Sequence, residues 1–160
     1  MSKTDTQSKN KDRILEIVNG LDRPGKDAVL DYLGSSSYFT RGCYNHHRER
    51  GGLAAHSLEV YDHMCAHAGS LPPDGIAVAA LFHDLGKTRR YDGRGHGIIS
   101  LEILDSCGFP LTRDERLAIG KHHAVSLDFL TCPLRRALSL ADSRSTCLWK
   151  RAHRGHKRRK

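Results

Sequence analysis

Apolar residues recur along most of the chain at intervals of three or four, the spacing of one face of an α-helix. The first such series is Ile14, Leu15, Ile17, Val18 and Leu21. Pro24 fits the opening of a second helix, and Gly34 is predicted just past its end. No segment alternates with a period of two over enough residues to form a convincing strand, so the pattern predicts an all-α protein.

Proline, glycine and a capping sequence mark the helix boundaries further along. Helices are predicted over 53–68, 73–86, 98–107, 112–123 and from 133 through Asp142. Thr112 and Glu115 have the spacing of a capping box, and Pro133 fits a helix start. Gly86 is predicted to stop the helix that precedes it. Over 34–52 the periodicity is lost, which indicates a functional or mobile loop.

A chain of 160 residues is long enough for one domain with its own core. Residues 1–10 are polar and are predicted to be disordered, and the domain is predicted over 11–147. The segment 148–160 holds seven Lys and Arg residues and no acidic residue, so only +1 of the net charge of +8 belongs to the rest of the chain. This basic tail is either a solvated terminus or a contact for nucleic acid.

No apolar run approaches the roughly 18 residues of a membrane span, and the N-terminal residues lack the apolar core of a signal peptide. The five cysteines include no C-x-x-C pair. An odd number of cysteines without that spacing favours reduced thiols over a disulfide framework or a zinc ribbon. We therefore expect a cytoplasmic protein without a membrane partner.

The most informative stretch is 81–87, Leu-Phe-His-Asp-Leu-Gly-Lys, where an apolar run carries His83 and Asp84 to the end of a predicted helix. Burying this pair is costly unless a metal ion takes an imidazole nitrogen and a carboxylate oxygen. More candidate ligands lie beside other predicted helices: His56, His96, His122, His123 and Asp142. Nitrogen and oxygen donors favour Mn, Fe, Co, Ni, Zn or Mg over a thiolate zinc site. Their number suffices for two metals, with Asp84 able to bridge them.

One ordered set of residues resembles the H…HD…D signature of the HD-domain superfamily of metal-dependent phosphohydrolases: His56, His83-Asp84 and Asp142. The resemblance covers about residues 38–145. The segment 95–100, Gly-His-Gly-Ile-Ile-Ser, resembles the histidine-led helix start of the dinuclear branches, and 121–123 resembles their later histidine site. The run 45–56 is similar to the segment before the first ligand in bacterial 3′–5′ exoribonucleases and in the HD domains of conjugative relaxases.

The resemblance implies a single bundle of about six or seven helices around a site for two divalent metals. The first metal is implied to bind His56, His83, Asp84 and Asp142. The second is implied to bind Asp84, His96 and one or both of His122 and His123. Two such ions, roughly 3.5–4 Å apart, would share a hydroxide that attacks a phosphoester. The implied activity is hydrolysis of a phosphomonoester or phosphodiester in a nucleotide or short nucleic acid.

Further residues are candidates for contact with a phosphorylated substrate. Lys87 would neutralise a phosphate oxygen in the transition state, which makes it a catalytic candidate together with Asp84. The candidates on the 34–52 loop to grip substrate phosphates are Arg41, Arg48 and Arg50. His46 and His47 either contact substrate or lie on the loop surface.

Two alternatives stand beside the hydrolase hypothesis. One is a non-catalytic HD domain that binds a nucleotide or a metal as a sensor or adaptor, and retention of the full ligand set ranks it lower. The other is a nucleic-acid-binding module that uses the basic tail. In that case, deletion of 148–160 would abolish binding and its salt dependence.

Overall fold

The structure is a computed structural model that describes residues 3–67, 69–90, 95–124 and 128–154, and all regular structure within these residues is helical. The α-helices are α1 (Lys3–Asn19), α2 (Lys26–Ser35), α3 (Gly52–Ala66), α4 (Pro73–Phe82), α5 (His96–Ser106), α6 (Arg113–Lys121), α7 (Asp128–Thr131) and α8 (Pro133–His153). A 3₁₀ helix, Leu85–Thr88, lies between α4 and α5. The prediction of an all-α fold is confirmed, with slightly more helices than predicted.

Helix α4 lies at the centre of the fold, because every residue from Gly75 to Phe82 is buried. One side of it packs in a cluster with α1, α2, α3 and α5 through Ala77, Val78, Leu81 and Phe82. The other side packs in a second cluster with α3, α6 and α8 through Ile76, Ala79 and Ala80. A helix that is apolar all round is stable only when it is surrounded by protein. The residues that follow it, His83 and Asp84, are therefore delivered to the interior.

Helix α1 begins at Lys3, so residues 3–10 are helical and not disordered as predicted. A tertiary contact explains the difference, since Gln7 Nε2 donates a hydrogen bond to the carbonyl oxygen of Arg50. The ammonium of Lys11 also lies 5.6 Å from the centre of the Phe39 ring. The polar residues at this end of the chain therefore belong to a helix that is docked on the domain.

Helix α8 continues to His153, past position 148, where the basic tail was predicted to begin. The division into a domain over 11–147 and a tail stays a prediction, and residues 155–160 lie outside the described residues. Ala68 also lies outside the described residues. It is the predicted end of the helix that corresponds to α3, which ends at Ala66. None of the described helices combines the length and the apolar character needed to cross a membrane.

Gly86 does not end α4, contrary to the prediction. Helix α4 ends at Phe82, and Gly86 belongs to the 3₁₀ helix that follows. A Cβ atom at position 86 would lie 2.1 Å from the carbonyl oxygen of His96. Glycine is needed here because the 3₁₀ helix and the start of α5 are in direct backbone contact. Gly34 likewise lies inside the last turn of α2 and not beyond it.

The predicted capping box at the start of α6 is confirmed, and it is joined to a buried ion pair. Thr112 Oγ1 accepts a hydrogen bond from the Glu115 backbone N–H, and the Glu115 carboxylate accepts one from the Thr112 N–H. The same carboxylate, 1% exposed, accepts hydrogen bonds from both terminal nitrogens of Arg23 at 2.6 and 2.8 Å. Burial alone would raise the pKa of Glu115, but Arg23 and Thr112 together hold that pKa below its usual value.

Glu115→Gln is expected to lower the free energy of unfolding at neutral pH by about 2 kcal/mol, because hydrogen bonds to charged groups contribute about 1.5–3 kcal/mol. Since the folded-state pKa of Glu115 is depressed, its stabilisation is present above the unfolded pKa and is lost as pH falls through the folded pKa. Urea unfolding of the wild type and the variant should therefore converge towards acidic pH. The control is Glu102→Gln, a change at an exposed residue. A difference in the free energy of unfolding between the wild type and Glu115→Gln that stays constant with pH would contradict the expectation.

Candidate metal centre

The seven predicted ligands lie on or beside five helices. In chain order they are His56 (α3), His83 and Asp84 (after α4), His96 (α5), His122 and His123 (after α6) and Asp142 (α8). Six of the seven are buried, whereas the His123 side chain is 60% exposed. The structure gathers all of them around one interior site.

A serine fixes the His-Asp motif against α5. The hydroxyl of Ser100 accepts a hydrogen bond from the backbone N–H of Gly86 at 2.8 Å. The same Oγ lies 3.1 Å from the carbonyl oxygen of His83 and 2.9 Å from that of His96. Gly95, with a φ of 68°, immediately precedes α5, so His96 is the first residue of that helix. The two histidines are thus held in a fixed relation.

The carboxylate of Asp84 lies between two groups of imidazoles. Its Oδ2 is 3.4 Å from His83 Nε2 and 3.6 Å from His56 Nε2. Its Oδ1 is 2.9 Å from His96 Nε2 and 3.9 Å from His122 Nε2. Each oxygen of the Asp84 carboxylate therefore faces its own pair of imidazole nitrogens.

Asp142 is the second carboxylate of the site. Its Oδ1 lies 3.1 Å from His56 Nε2, and its Oδ2 lies 3.7 Å from His123 Nδ1. On the far side of Asp84, the Nε2 atoms of His96 and His122 are 3.0 Å apart. Two lone pairs at that distance repel each other unless a proton or a cation lies between them.

His83 and His122 present the same ring nitrogen to the site. The Nδ1 of His83 lies 2.8 Å from the carbonyl oxygen of Ala80, and the Nδ1 of His122 lies 2.8 Å from that of Ile119. A carbonyl only accepts, so each Nδ1 carries a proton and donates it. Each neutral ring then has its lone pair on Nε2, and carbonyl partners of this kind commonly fix metal-binding histidines.

Three buried polar atoms of the site lack a hydrogen-bond partner among the described residues: His56 Nε2, His83 Nε2 and Asp84 Oδ1. Each unsatisfied buried group costs about 1–3 kcal/mol, and adjacent ones are rare. Ligand atoms of His56, His83 and Asp84 lie within 4.8 Å of one another, and so do those of His96, His122 and His123. Nitrogen and oxygen atoms grouped in this way fit the binding of a divalent cation.

Both carboxylates are held in the ionised form. Burial alone would raise the pKa of Asp84, but the ammonium of Lys87 and the imidazole of His83 keep it well below its usual value. Burial would likewise raise the pKa of Asp142, and the adjacent imidazoles of His56 and His83 keep it low. Deprotonated carboxylates are the form that binds metal.

The imidazoles of the site respond to burial in different ways. Burial lowers the pKa of His56, although Asp142 and Asp84 act in the opposite direction. Burial also lowers the pKa of His122 to well below its usual value. At His83 the same effect is outweighed by the charge of Asp84, which raises the pKa. His56 and His122 are therefore neutral near pH 7, as a metal ligand must be.

Lys87 is buried and paired with the motif. Its ammonium lies 2.5 Å from Asp84 Oδ2, and the guanidinium of Arg41 donates a hydrogen bond of 2.8 Å to the Lys87 carbonyl oxygen. Burial would lower the pKa of Lys87, but the charge of Asp84 raises it, so the ammonium keeps its charge. The positive charge of Lys87 thus lies beside Asp84 Oδ2, the oxygen that faces His56 and His83.

The loop before α3 brings two more histidines against the site. His46 and His47 are both buried, so the loop-surface interpretation is wrong. The ring centres of His46 and His56 are 4.5 Å apart. By contrast, the side chains of Arg48 and Arg50 are exposed, and their predicted role in phosphate binding stays a prediction.

Sequence reasoning missed two residues next to the ligands, Glu59 and Ser145. The Oγ of Ser145 lies 3.0 Å from His56 Nδ1 and donates a hydrogen bond of 2.7 Å to Glu59 Oε2. Each lies three positions after a predicted ligand, Glu59 after His56 and Ser145 after Asp142. Residues at that spacing share a helix face, so the same-face neighbours of each ligand were the signal that could have found them.

A cleft of about 320 Å³ opens over one end of the site. Its lining residues are Gly95, His96, Gly97, Ile98, Gly120, His122, His123 and Ala124. A larger groove, of about 660 Å³, lies between the end of α3 and α8 and includes none of the predicted ligands. The arrangement of the predicted ligands, rather than the size of the opening, therefore marks the candidate site.

An all-α domain with buried histidines and carboxylates around one cleft defines a protein with a candidate metal centre. A protein-family model described as HD domain matches residues 53–147, more than half of the chain. The chain belongs to the HD-domain family, whose members are generally metal-dependent hydrolases. No curated protein and no solved structure matches it. The narrower resemblance to exoribonuclease and relaxase branches stays a prediction.

Proposed function

We propose that the protein is a metal-dependent phosphohydrolase that cleaves a phosphomonoester or phosphodiester of a nucleotide or short nucleic acid. The observation that carries the proposal is the group of buried, unpartnered atoms on His56, His83 and Asp84. Ionised carboxylates beside neutral imidazoles are the donors that a divalent cation binds. Membership of a family of mostly metal-dependent hydrolases supports hydrolysis as the reaction.

We assign two metal positions to the two sides of Asp84. The first would be held by His56, His83, Asp84 and Asp142. The second would be held by Asp84, His96 and His122. We prefer His122 to His123 as the ligand, because His122 is buried with Nε2 3.9 Å from Asp84, whereas His123 is largely exposed. His123 lines the cleft and is assigned to substrate contact.

When bound, divalent metals supply Lewis acidity, which lowers the pKa of water and polarises a phosphoryl oxygen. The protein supplies the charge and the positioning. Asp84 and Asp142 provide the negative charge that attracts the cations. Lys87 provides a buried ammonium that stabilises negative charge on the phosphate oxygens as the transition state forms. Burial strengthens that interaction, because the effective dielectric constant around Lys87 is low.

Lys87→Ala is expected to reduce kcat by about 10²-fold while metal content per chain is kept, since removing one charge-stabilising donor typically costs about 10²–10³-fold. Metal content should not fall, because the ammonium competes with a cation for Asp84 Oδ2. Steady-state kinetics and elemental analysis on the same sample measure both quantities. The exposed Lys9, changed to Ala, is the control. An unchanged kcat would leave Lys87 as a structural partner of Asp84 only.

The activity is tested on the untagged chain, stripped of metal and reloaded separately with Mn, Fe, Co, Ni, Zn or Mg. Mononucleotides, dinucleotides and short oligonucleotides form the substrate panel. We expect phosphate or nucleotide release with at least one metal, and its loss on chelation. Tight nucleotide binding without turnover in any combination would replace the proposal with the sensor or adaptor function.

A further inference from the structure

A continuous chain of hydrogen bonds starts at the ring nitrogen of His56 that faces away from Asp84. His56 Nδ1 lies 3.0 Å from Ser145 Oγ, which lies 2.7 Å from Glu59 Oε2. His47 Nε2 lies 3.1 Å from the same carboxylate oxygen. The chain therefore connects α3, α8 and the loop before α3 at one acceptor.

The carboxylate sets the direction of every bond in this chain. An ionised carboxylate only accepts, so the Ser145 hydroxyl donates its proton to Glu59. Ser145 Oγ must then accept from His56, which places the proton on His56 Nδ1. Nε2 of His56 is left with its lone pair, and this is the atom that lies unpartnered in the site.

The opposite tautomer of His56 would carry its proton on Nε2. Asp142 Oδ1, at 3.1 Å, and Asp84 Oδ2, at 3.6 Å, are the carboxylate oxygens that would accept it. The site's own carboxylates thus favour a proton on the nitrogen that has to be unprotonated to bind a metal. A hydrogen-bond acceptor at His56 Nδ1 is needed to oppose the effect of these carboxylates, and Ser145 Oγ is that acceptor.

We infer that Ser145 and Glu59 are positioning residues that hold His56 in its Nδ1–H tautomer, with the Nε2 lone pair directed at the metal position. The inference rests on the proposed metal site but concerns two residues that the ligand signature does not include. Ser145 is fully buried, whereas the Glu59 side chain is 47% exposed. The larger effect therefore belongs to Ser145.

Glu59 also connects the loop before α3 to the predicted ligand His56. His47 has a positive φ of 42°, which is uncommon for a residue other than glycine, and it is held there by contacts at both ends. Its carbonyl oxygen accepts a hydrogen bond of 2.9 Å from Cys43 N, and its ring donates to Glu59. Removal of Glu59 would thus release both the loop and Ser145, whose hydroxyl could then donate to His56 Nδ1.

The experiment measures the tautomer and the metal affinity of the 160-residue chain separately. Long-range ¹⁵N NMR on the metal-free protein reports which nitrogen of His56 carries the proton. Competition with a chromophoric chelator reports the affinity for Mn²⁺ and Zn²⁺. Ser145→Ala is expected to shift His56 towards the Nε2–H tautomer and to weaken metal binding by about 10–100-fold, the range found for partners of metal ligands.

Rescue variants separate positioning from packing. Ser145→Thr and Glu59→Gln keep an oxygen acceptor in the chain and should stay close to wild type, whereas Glu59→Ala should weaken binding by less than Ser145→Ala. Ser143→Ala, on the exposed side of α8, should change nothing. If Ser145→Ala does not fold, the Glu59→Ala and Glu59→Gln pair decides the question.

Two results overturn the inference: a wild-type His56 with its proton on Nε2, or an unchanged tautomer and affinity in Ser145→Ala and Glu59→Ala. A wild-type chain that binds neither ion would instead refute the proposed metal site. The NMR measurement on the metal-free protein would then still report whether Ser145 and Glu59 set the tautomer.

Discussion

Asp84→Asn is expected to remove nearly all bound metal and to lower phosphoesterase kcat by roughly 10³-fold or more, beyond the 10²–10³-fold typical of losing one stabilising donor. The reason is geometric, since both oxygens of this carboxylate face imidazole nitrogens and both proposed metal positions include it. The amide keeps the shape of the side chain but removes the negative charge. Metal content per chain, measured by elemental analysis on untagged protein, checks the first effect, and kcat checks the second.

The matched control for Asp84 is Asp31→Asn, an exposed carboxylate on α2, which should keep both metal and activity. Thermal unfolding of the metal-free variants is recorded as well, because the change leaves the buried Lys87 without its acidic partner. Close to two metals per wild-type chain would support the dinuclear assignment, and one would favour a mononuclear site. Full metal content and activity in Asp84→Asn would sink the proposed function.

Gly86→Ala is expected to lower the free energy of unfolding by about 3 kcal/mol or more, the upper part of the range for overpacking a core. The added Cβ would lie 2.1 Å from the carbonyl oxygen of His96, and a backbone atom cannot move aside as a flexible side chain can. Any folded variant must shift the start of α5, and His96 with it. Urea unfolding measures the loss of stability, and metal content measures the displacement of His96.

Gly34→Ala is the comparison for this substitution. Gly34 lies in α2, and an added Cβ there meets nothing within 4 Å. Alanine at such a position is expected to stabilise by about 0.5–1 kcal/mol, since it restricts the unfolded chain. A loss of stability in Gly86→Ala and a gain in Gly34→Ala would confirm that contact with α5 causes the loss. A neutral Gly86→Ala would mean that the backbone can separate at low cost.

The sequence predictions that the structure confirms rest on local patterns of residues. The helical period of apolar residues and the Thr112 capping box depend on neighbours within a turn or two, so they are readable from sequence. The same holds for the position of His83 and Asp84 after an apolar helix. The gathering of the distant ligands was not readable in this way and came from the resemblance.

The features that sequence reasoning missed depend on contacts between distant segments. The hydrogen bond from Ser145 to Glu59 joins residues 86 positions apart. The role of Gly86 depends on the approach of α5, and the helical state of residues 3–10 depends on docking near Arg50. Such contacts are set by how helices pack, which periodicity within one helix does not encode.

The region recognisable by common descent is shorter than the region that must fold together. The family match begins at residue 53, yet the main hydrophobic cluster includes Ile14 and Val18 of α1 and Val29 and Leu33 of α2, all fully or almost fully buried. Beyond the end of the match, the Trp149 ring lies 5.6 Å from that of His47. A fragment cut at 53 and 147 would therefore uncover one whole side of the apolar interior, and aggregation is the expected fate of such a fragment.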